Sequence, residues 1–432
     1  MKKILILAYD FPPLNSVAAE RPHFWMKEFH KEGYYPIVIT RSWNSSIIDS
    51  SEKDIIGKDA SEKTTETKEY TLIQKQQTWS LKPFLLQKLK LNVIPYSQKI
   101  LTFLELISRF RYDLLDDKKF IYTAGKEYLQ HNKVDFILAT GEPFLTFKYA
   151  NKLSKEFKTP WIADYRDGWS SNHHGTIKGV LQKLIVSLDR RSEKRIVSNA
   201  LFTTTVNSFC QKSIEQIVNR KCYIIQNGVD LDIVDQIQLS SLPNHFIIHY
   251  GGTIYDVSYI DVLIEGINEL NKRFPDNKTI VFEFYGITFV PNKAVDRLIE
   301  LSKTLPNWIK IYPRVSGTLL IPAMQKANLF LDLIIDKPIN AIGTKTYTYL
   351  ASRRPNIVIP TVLDKATRYS KENTQVIVFN AKEFADEISK YYHLYNTGVI
   401  QKNEFTDEDI YNISRNKGIK ELANVLNQYN KD

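Results

Sequence analysis

The stretch INAIGTKTYTYLASRRPNIVI, residues 339–359, reads as a loop, a short helix and a buried strand. Gly343 and Lys345 stand at the start of the helix, which is the layout of a phosphate cradle. A helix N-terminus points backbone N–H groups at an anion, and a lysine beside it adds a full positive charge. The closing NIVI is short and apolar without alternation, as a parallel strand covered on both faces should be. A strand of this kind reached through a helix implies an α/β fold, provided the pattern repeats elsewhere in the chain.

It does repeat. In the second half HFIIHYGG (245–252), IVFEFYG (280–286), WIKIYPRV (308–315), LFLDLII (329–335) and VIVF (376–379) read as strands. Helices are expected over 260–274, 319–327 and 381–395, and a last helix over 407–429. In the first half the strands are KILILAY (3–9), YPIVIT (35–40), VDFILAT (134–140), PWIADYR (160–166), ALFTTTV (200–206) and KCYIIQNG (221–228). Helices over 18–32, 118–131, 143–157 and 178–198 alternate with them, and Gly33 stops the first. Strand–helix–strand units of this length form right-handed crossovers. Two such sets predict two doubly wound Rossmann-like domains facing a cleft, with ligands at the carboxyl ends of the strands. The expected domains are 1–240, 241–405 and a C-terminal helical segment, 406–432, returning to the first domain. Residues 44–77, rich in Ser, Thr, Lys and Glu, read as a polar surface excursion.

Composition narrows the function. A chain of 432 residues is too long for one core. Its 43% apolar and 25% charged residues suit an ordinary globular protein. Cys210 and Cys222 form neither a metal spacing nor a disulfide framework, so a reducing compartment is expected and both read as small buried apolar residues. The apolar run at the start is short and meets Asp10 and the Pro12–Pro13 pair, which argues against a signal peptide. No run approaches the ~20 apolar residues of a membrane span. The expected location is the cytoplasm, at the inner face of the membrane. The net charge of +10 points to nucleic acid, an anionic membrane or phosphorylated ligands. Zinc-finger spacings and aromatic RNA-binding runs are missing from the sequence, so nucleic acid is the weakest of these. A basic helical insertion over 79–130 reads either as a cap on the first domain or as a surface for anionic lipid.

Unusual residues gather at the predicted strand ends. In the first half these are Asp10, Asn15 and Ser16, then Thr140, Gly141 and Glu142, then Asp164, Arg166, Asp167, His173 and His174, then Asn227, Gly228 and Asp230. In the second they are Gly251, Gly252 and Thr253, then Tyr285 and Gly286, then Arg314, Val315, Ser316 and Gly317, then Gly343, Thr344 and Lys345. A glycine after a strand is most often a plain turn, and one lysine is most often a solvated one. Their recurrence at successive strand ends favours a ligand site. ADYRDGWSSNHH (163–174) is the densest polar cluster. It reads either as a buried Asp–Arg pair with Trp169 as packing, or as an acceptor wall where Asp167 or His173 orients or deprotonates a hydroxyl. Adjacent histidines seldom address one ion, so no metal is expected.

In order and spacing, AYDFPPLNSVAAERP, VDFILATGEPF, PWIADYRDGW, IIQNGVD, HYGGTIY and GTKTYTYLASRRP resemble the GT-B superfamily, and specifically bacterial glycosyltransferase family 4. The resemblance covers nearly the whole chain. It implies a nucleotide-sugar donor in the second half and an acceptor in the first, with no cofactor and no metal. Lys345 matches the lysine of the family's Lys-x-x-Glu-Tyr-Leu pattern, which contacts the donor diphosphate. Asn340 and Thr348 stand where the family often has two glutamates. No lysine or arginine follows the first second-half strand in GGTIYDVSY. The expected function is therefore sugar transfer onto a polysaccharide or lipid-linked acceptor in cell-surface glycan synthesis, with retention. Lys345, Asp167 and His173 are the catalytic candidates. Donor contacts are expected from Gly251 to Thr253, Tyr285, Gly286, Arg314, Val315, Asn340, Gly343 to Lys345 and Thr348. Acceptor contacts are expected from Asn15, Ser16, Glu142, Arg166 and Asp167. The weakened acidic pair leaves a non-catalytic GT-B protein, binding a sugar or a partner transferase, as the alternative. A GT-B epimerase or phosphorylase is a third reading.

Overall fold

The computed structural model describes residues 1–44, 60–78, 116–171, 179–238, 243–254, 260–315, 317–334, 343–360 and 375–429. The expected insertion over 79–130 lies outside the described residues as far as 115, as do His173, His174, Ser316 and Asn340. The chain forms two compact units, Met1–Gln226 with Gly418–Asp432, and Asn227–Lys417.

In the first unit the order is β1 (Lys2–Leu7), α1 (Val17–Glu28), β2 (Tyr34–Arg41), β3 (Lys63–Glu66), β4 (Thr71–Lys75), α2 (Phe120–His131), β5 (Phe136–Gly141), α3 (Leu145–Phe157), β6 (Trp161–Tyr165), α4 (Val180–Val197), β7 (Phe202–Thr205), α5 (Ser208–Val218) and β8 (Cys222–Ile224). The sheet order is β3-β4-β2-β1-β5-β6-β7-β8. Ile4 to Leu7 are fully buried, which is why β1 shows no polar alternation. Ser16 caps α1 by accepting from the Ala18 N–H at 3.1 Å, and Phe24, Trp25 and Phe29 join the core around β1. A short 3₁₀ turn ends at Gly33, whose φ of 86° is left-handed.

Three elements depart from the sequence reading here. The polar stretch 44–77 contains β3 and β4, with β4 parallel to β2 and β3 antiparallel at the edge. In β4 Ile73 is buried while Leu72 and Gln74 are partly exposed, so the strand carries no continuous apolar run, and β3 is the exposed edge. Helix α5 also lies between β7 and β8, capped by Asn207 through the Cys210 N–H at 2.8 Å.

The second unit contains α6 (Leu231–Val234), β9 (Phe246–Gly251), α7 (Ile260–Arg273), β10 (Ile280–Tyr285), α8 (Lys293–Thr304), β11 (Ile309–Tyr312), α9 (Gly317–Lys326), β12 (Leu329–Ile334), α10 (Thr344–Ala351), β13 (Asn356–Pro360), β14 (Val376–Ile377), α11 (Ala381–Asn396) and α12 (Asp407–Asn412). Its strands run β11-β10-β9-β12-β13-β14, each pair parallel. Both units are thus doubly wound, with strand order reversing at β1/β5 and at β9/β12. Those reversals open crevices beyond the strand ends where ligands bind.

The division at Gln226–Asn227 places the expected boundary near 240 inside the second unit. The expected last helix is two helices. Val229 pairs with Ser414, donating to Ile413 O at 3.1 Å and accepting from the Arg415 N–H at 2.9 Å. Gly228 makes this approach possible, since a Cβ there would lie 2.5 Å from Ile413 O. The following helix, α13 (Arg415–Gln428), sets Ile419, Leu422 and Leu426 into the first unit's core beside Ile4 and Ile6.

Candidate functional site

At the β9/β12 reversal the end of β9 and the start of α10 hold five of the donor candidates. Lys345 is the second residue of α10, whose N-cap, Gly343, makes no side-chain capping bond. Among the described residues no side chain caps the first-turn N–H groups of Thr344 and Lys345, which carry the positive end of the helix. The Lys345 ammonium lies 3.3 Å from Asp332 Oδ1 and 4.2 Å from the centroid of the Tyr250 ring. Its side chain is 29% exposed, within a ligand's reach. Burial works against its charge. Tyr250, Asp332 and Tyr349 outweigh that effect and hold its pKa above the ordinary lysine value.

Asp332 comes from the centre of the sheet and its side chain is 1% exposed. The Thr346 hydroxyl donates to its Oδ2. The first turn of α10 is thereby fixed on β12 by two successive residues. A second tie runs to β9, where the Gly251 N–H donates to the Tyr349 hydroxyl at 2.9 Å. Gly252 has φ of +130°, a conformation that favours glycine, and its N–H donates to Tyr285 O at 2.9 Å. A Cβ on Gly252 would sit 3.9 Å from Lys345 Cδ, so this backbone runs beside the lysine stem. The structure thus brings Gly251, Gly252, Gly343, Thr344 and Lys345 together. Both glycine N–H groups are already used by protein acceptors.

Of the remaining donor candidates, Tyr285 and Gly286 stand at the end of β10, Arg314 and Val315 follow β11, Thr253 follows β9, and Thr348 is in α10. Tyr285 stacks on Tyr312 at 4.5 Å and on His249 at 5.2 Å, and donates to Glu283 at 3.2 Å. Gly286 donates to Tyr312 O at 3.0 Å and packs against Arg314, whose guanidinium lies 4.3 Å from the Phe289 ring. Val315 is half-buried, and the Thr253 carbonyl accepts from the Tyr250 hydroxyl at 3.0 Å. Thr348 turns its hydroxyl back to Thr344 O at 3.4 Å along its own helix, so it does not present the hydroxyl as a carboxylate there would.

In the first unit the acceptor candidates form two groups, Asn15 and Ser16 before α1, and Glu142, Arg166 and Asp167 past β5 and β6. Ser16 serves α1 as its cap and Asn15 is half-buried beside it. Glu142 is exposed, and its carbonyl accepts from Arg166 at 2.5 Å while Gly141 O accepts at 2.6 Å. Asp167 is exposed. The buried Asp–Arg pair exists, but with a partner the sequence did not suggest. Asp164 binds Arg21 of α1, at 2.7 and 3.2 Å, not Arg166. Trp169 packs face to face on Phe144 at 5.1 Å.

Sequence reasoning passed over Asp332, Thr346 and His249. Asp332 was visible as the one charge inside the apolar run LFLDLII. His249 is fully buried, and neither ring nitrogen has a hydrogen-bond partner among the described residues. Burial, then the nearby Arg354 and Lys345 charges, push its pKa down to about 3, so it is neutral at physiological pH.

No described helix is long and apolar enough to cross a membrane. No family model and no curated protein matches the chain. Among solved structures, HepE of Anabaena in complex with UDP-glucose is similar over 99% of this chain and 100% of its own, at 11% identity and a TM-score of 0.56. Sucrose-phosphate synthase from Thermosynechococcus elongatus is similar over 99% of this chain and 95% of its own, at 13% identity and a TM-score of 0.55. The UDP-forming trehalose-phosphate synthase from Burkholderia xenovorans, in complex with glucose-6-phosphate, is similar over 99% and 100%, at 9% identity and a TM-score of 0.57. At these identities the likeness establishes the fold, which is the two-domain GT-B architecture.

Proposed function

We propose that the chain is a glycosyltransferase that takes a hexose-type sugar from a nucleoside-diphosphate donor bound at the second unit. The observation that carries this reading is the Lys345 ammonium at the uncapped first turn of α10, beside Gly252 and at the β9/β12 reversal. A diphosphate there meets helix N–H groups and a cation together. Lys345 takes up the charge that grows on the leaving diphosphate, the usual largest contribution to such a reaction. UDP-glucose in a structure of the same fold supports a donor of this class.

The acceptor in this reading is a glycan or a lipid-linked glycan reached from the first unit, in cell-surface polysaccharide synthesis at the cytoplasmic face of the membrane. Transfer proceeds with retention, where the leaving diphosphate itself assists the incoming hydroxyl and no strong protein base is required. Inversion would need a base, for which Asp167 and His173 are the candidates. The reading requires no cofactor and no metal.

The experiment is incubation with UDP-, GDP-, ADP-, CMP- and dTDP-sugars, following nucleotide release with and without oligosaccharide acceptors. Release from one donor, lost in Lys345→Met that still melts cooperatively, supports the reading. Binding of a sugar without turnover would favour the non-catalytic alternative, for which the missing carboxylate at Thr348 is the motivating feature.

A further inference from the structure

The carboxylate behind the lysine is the unexpected part of this site. Asp332 occupies a central strand position, in register with Val358 of β13, where an apolar side chain would be cheaper to bury. Burying a carboxylate costs several kcal/mol unless it is paired. The pairing here is incomplete. Oδ2 accepts from Thr346, but Oδ1 accepts no hydrogen bond among the described residues. Lys345 stands 3.3 Å from Oδ1, beyond the ~2.7–2.9 Å of a formed charge-assisted bond. The ammonium is thus held by the Asp332 charge and by the Tyr250 side chain, and it remains partly exposed to a ligand.

We propose that Asp332 is an internal counter-ion that competes with a bound diphosphate for Lys345 and so hastens release of the nucleoside-diphosphate product. The inference rests on reading the α10 terminus as a diphosphate cradle. Without ligand, Asp332 neutralises the lysine and the pair carries no net charge. A diphosphate offers more negative charge and closer oxygens and draws the ammonium away. Asp332 then remains a few ångströms behind the ligand, unpaired and repelling it. That repulsion shows mainly as faster dissociation, since affinity differences between variants of one site lie mostly in the off-rate. Product release limits many transferring enzymes, and a built-in competitor for Lys345 shortens it.

The test is Asp332→Asn, which keeps shape and keeps an acceptor for Thr346. Inorganic pyrophosphate and the nucleoside diphosphate of the working donor are titrated by calorimetry, and dissociation is followed by stopped flow. The expected result is binding tighter by about tenfold through slower dissociation, with kcat and KM falling together. Adding Lys345→Met should erase the gain. Unchanged or weaker binding in Asp332→Asn overturns the inference, and so does pyrophosphate binding to neither form. The two readings fail separately. Tighter pyrophosphate binding in a chain that turns over no sugar nucleotide keeps the counter-ion and removes the transferase. Sugar transfer with no tightening does the reverse. If the asparagine variant does not fold, a crystal structure of the unaltered chain with pyrophosphate decides. Lys345 on a phosphate oxygen and farther than 3.3 Å from Asp332 agrees with the inference. Lys345 still at that distance contradicts it.

Discussion

Each unit buries an aspartate on a central strand and pairs it with a cation from a helix, yet the two pairs are built differently. In the first unit Arg21 holds Asp164 with two nitrogens, and Thr140 and Thr204 donate to the same carboxylate at 2.9 and 2.7 Å. The guanidinium also donates to Ile225 O at 3.0 Å and lies 4.9 Å from the Trp25 ring. All of this is buried. In the second unit Lys345 meets one oxygen of Asp332 at 3.3 Å and remains partly exposed. The first cluster is saturated and reads as structure, fixing α1 to β6 and to the chain just past β8. The second has spare capacity and reads as a place for a ligand. A planar guanidinium suits the first role and a compact, mobile ammonium suits the second.

Breaking the saturated pair should have the largest effect. Arg21→Met strands a buried carboxylate, and urea unfolding should show a loss of about 3–5 kcal/mol, partly recovered by adding Asp164→Leu. A loss below about 1 kcal/mol would place Arg21 among weakly coupled surface ion pairs and end the contrast.

Acid separates the units next. His249 stands behind the Lys345 pair with a folded-state pKa of about 3 against 6.5 in the unfolded chain. Between those values the unfolded state binds the extra proton, so stability falls as pH drops from 6.5 toward 3. At pH 5 the deficit from this group is about 2 kcal/mol. His249→Phe should remove it, narrowing the stability difference between pH 7 and pH 5. An unchanged difference would mean that the imidazole finds a partner when protonated.

Lys345→Met comes third. Because the lysine is partly exposed, the stability loss should be about 1–2 kcal/mol, clearly less than for Arg21→Met, while anion binding is lost. Equal losses for the two would show that both pairs are structural.

The smallest change sharpens the open helix end. Gly343 has φ of −66° and ψ of 147°, and its nearest Cβ neighbour would be Thr346 Oγ1 at 3.9 Å. Gly343→Ser therefore fits, and its hydroxyl caps α10. Melting should show a gain of a few tenths of a kcal/mol, and nucleotide affinity should fall because the first-turn N–H groups are taken.

Much of the architecture was readable because buried parallel strands carry continuous apolar runs. KILILAY and HFIIHYGG declared β1 and β9, and Gly33 its turn. The edge pair β3–β4 was not readable, since β3 is wholly polar and only Leu72 and Ile73 mark β4 within a polar stretch. Helices α5 and α8 were legible only through single capping residues, Asn207 and Asn292, the latter accepting from the Ala294 and Val295 N–H groups, and these local signals are weaker than the apolar runs of the flanking strands. The strand-end glycines and Lys345 were legible from spacing, since the chemistry of a helix terminus is local. Their counter-ion was not, because the Asp332–Thr346 contact spans 14 residues and the Arg21–Asp164 contact 143. Pairs of that reach are set by topology, which orders strands without leaving a mark on the residues between them.

The central claim is that the second unit binds a nucleoside diphosphate through Lys345. The most direct measurement is calorimetric titration of the chain with UDP, GDP, ADP, CMP and dTDP, repeated for Lys345→Met under conditions where both forms are folded. The account predicts that one diphosphate binds the unaltered chain and that affinity falls by about 10- to 100-fold in the variant. Binding to none of them, or equal binding to both forms, would contradict it.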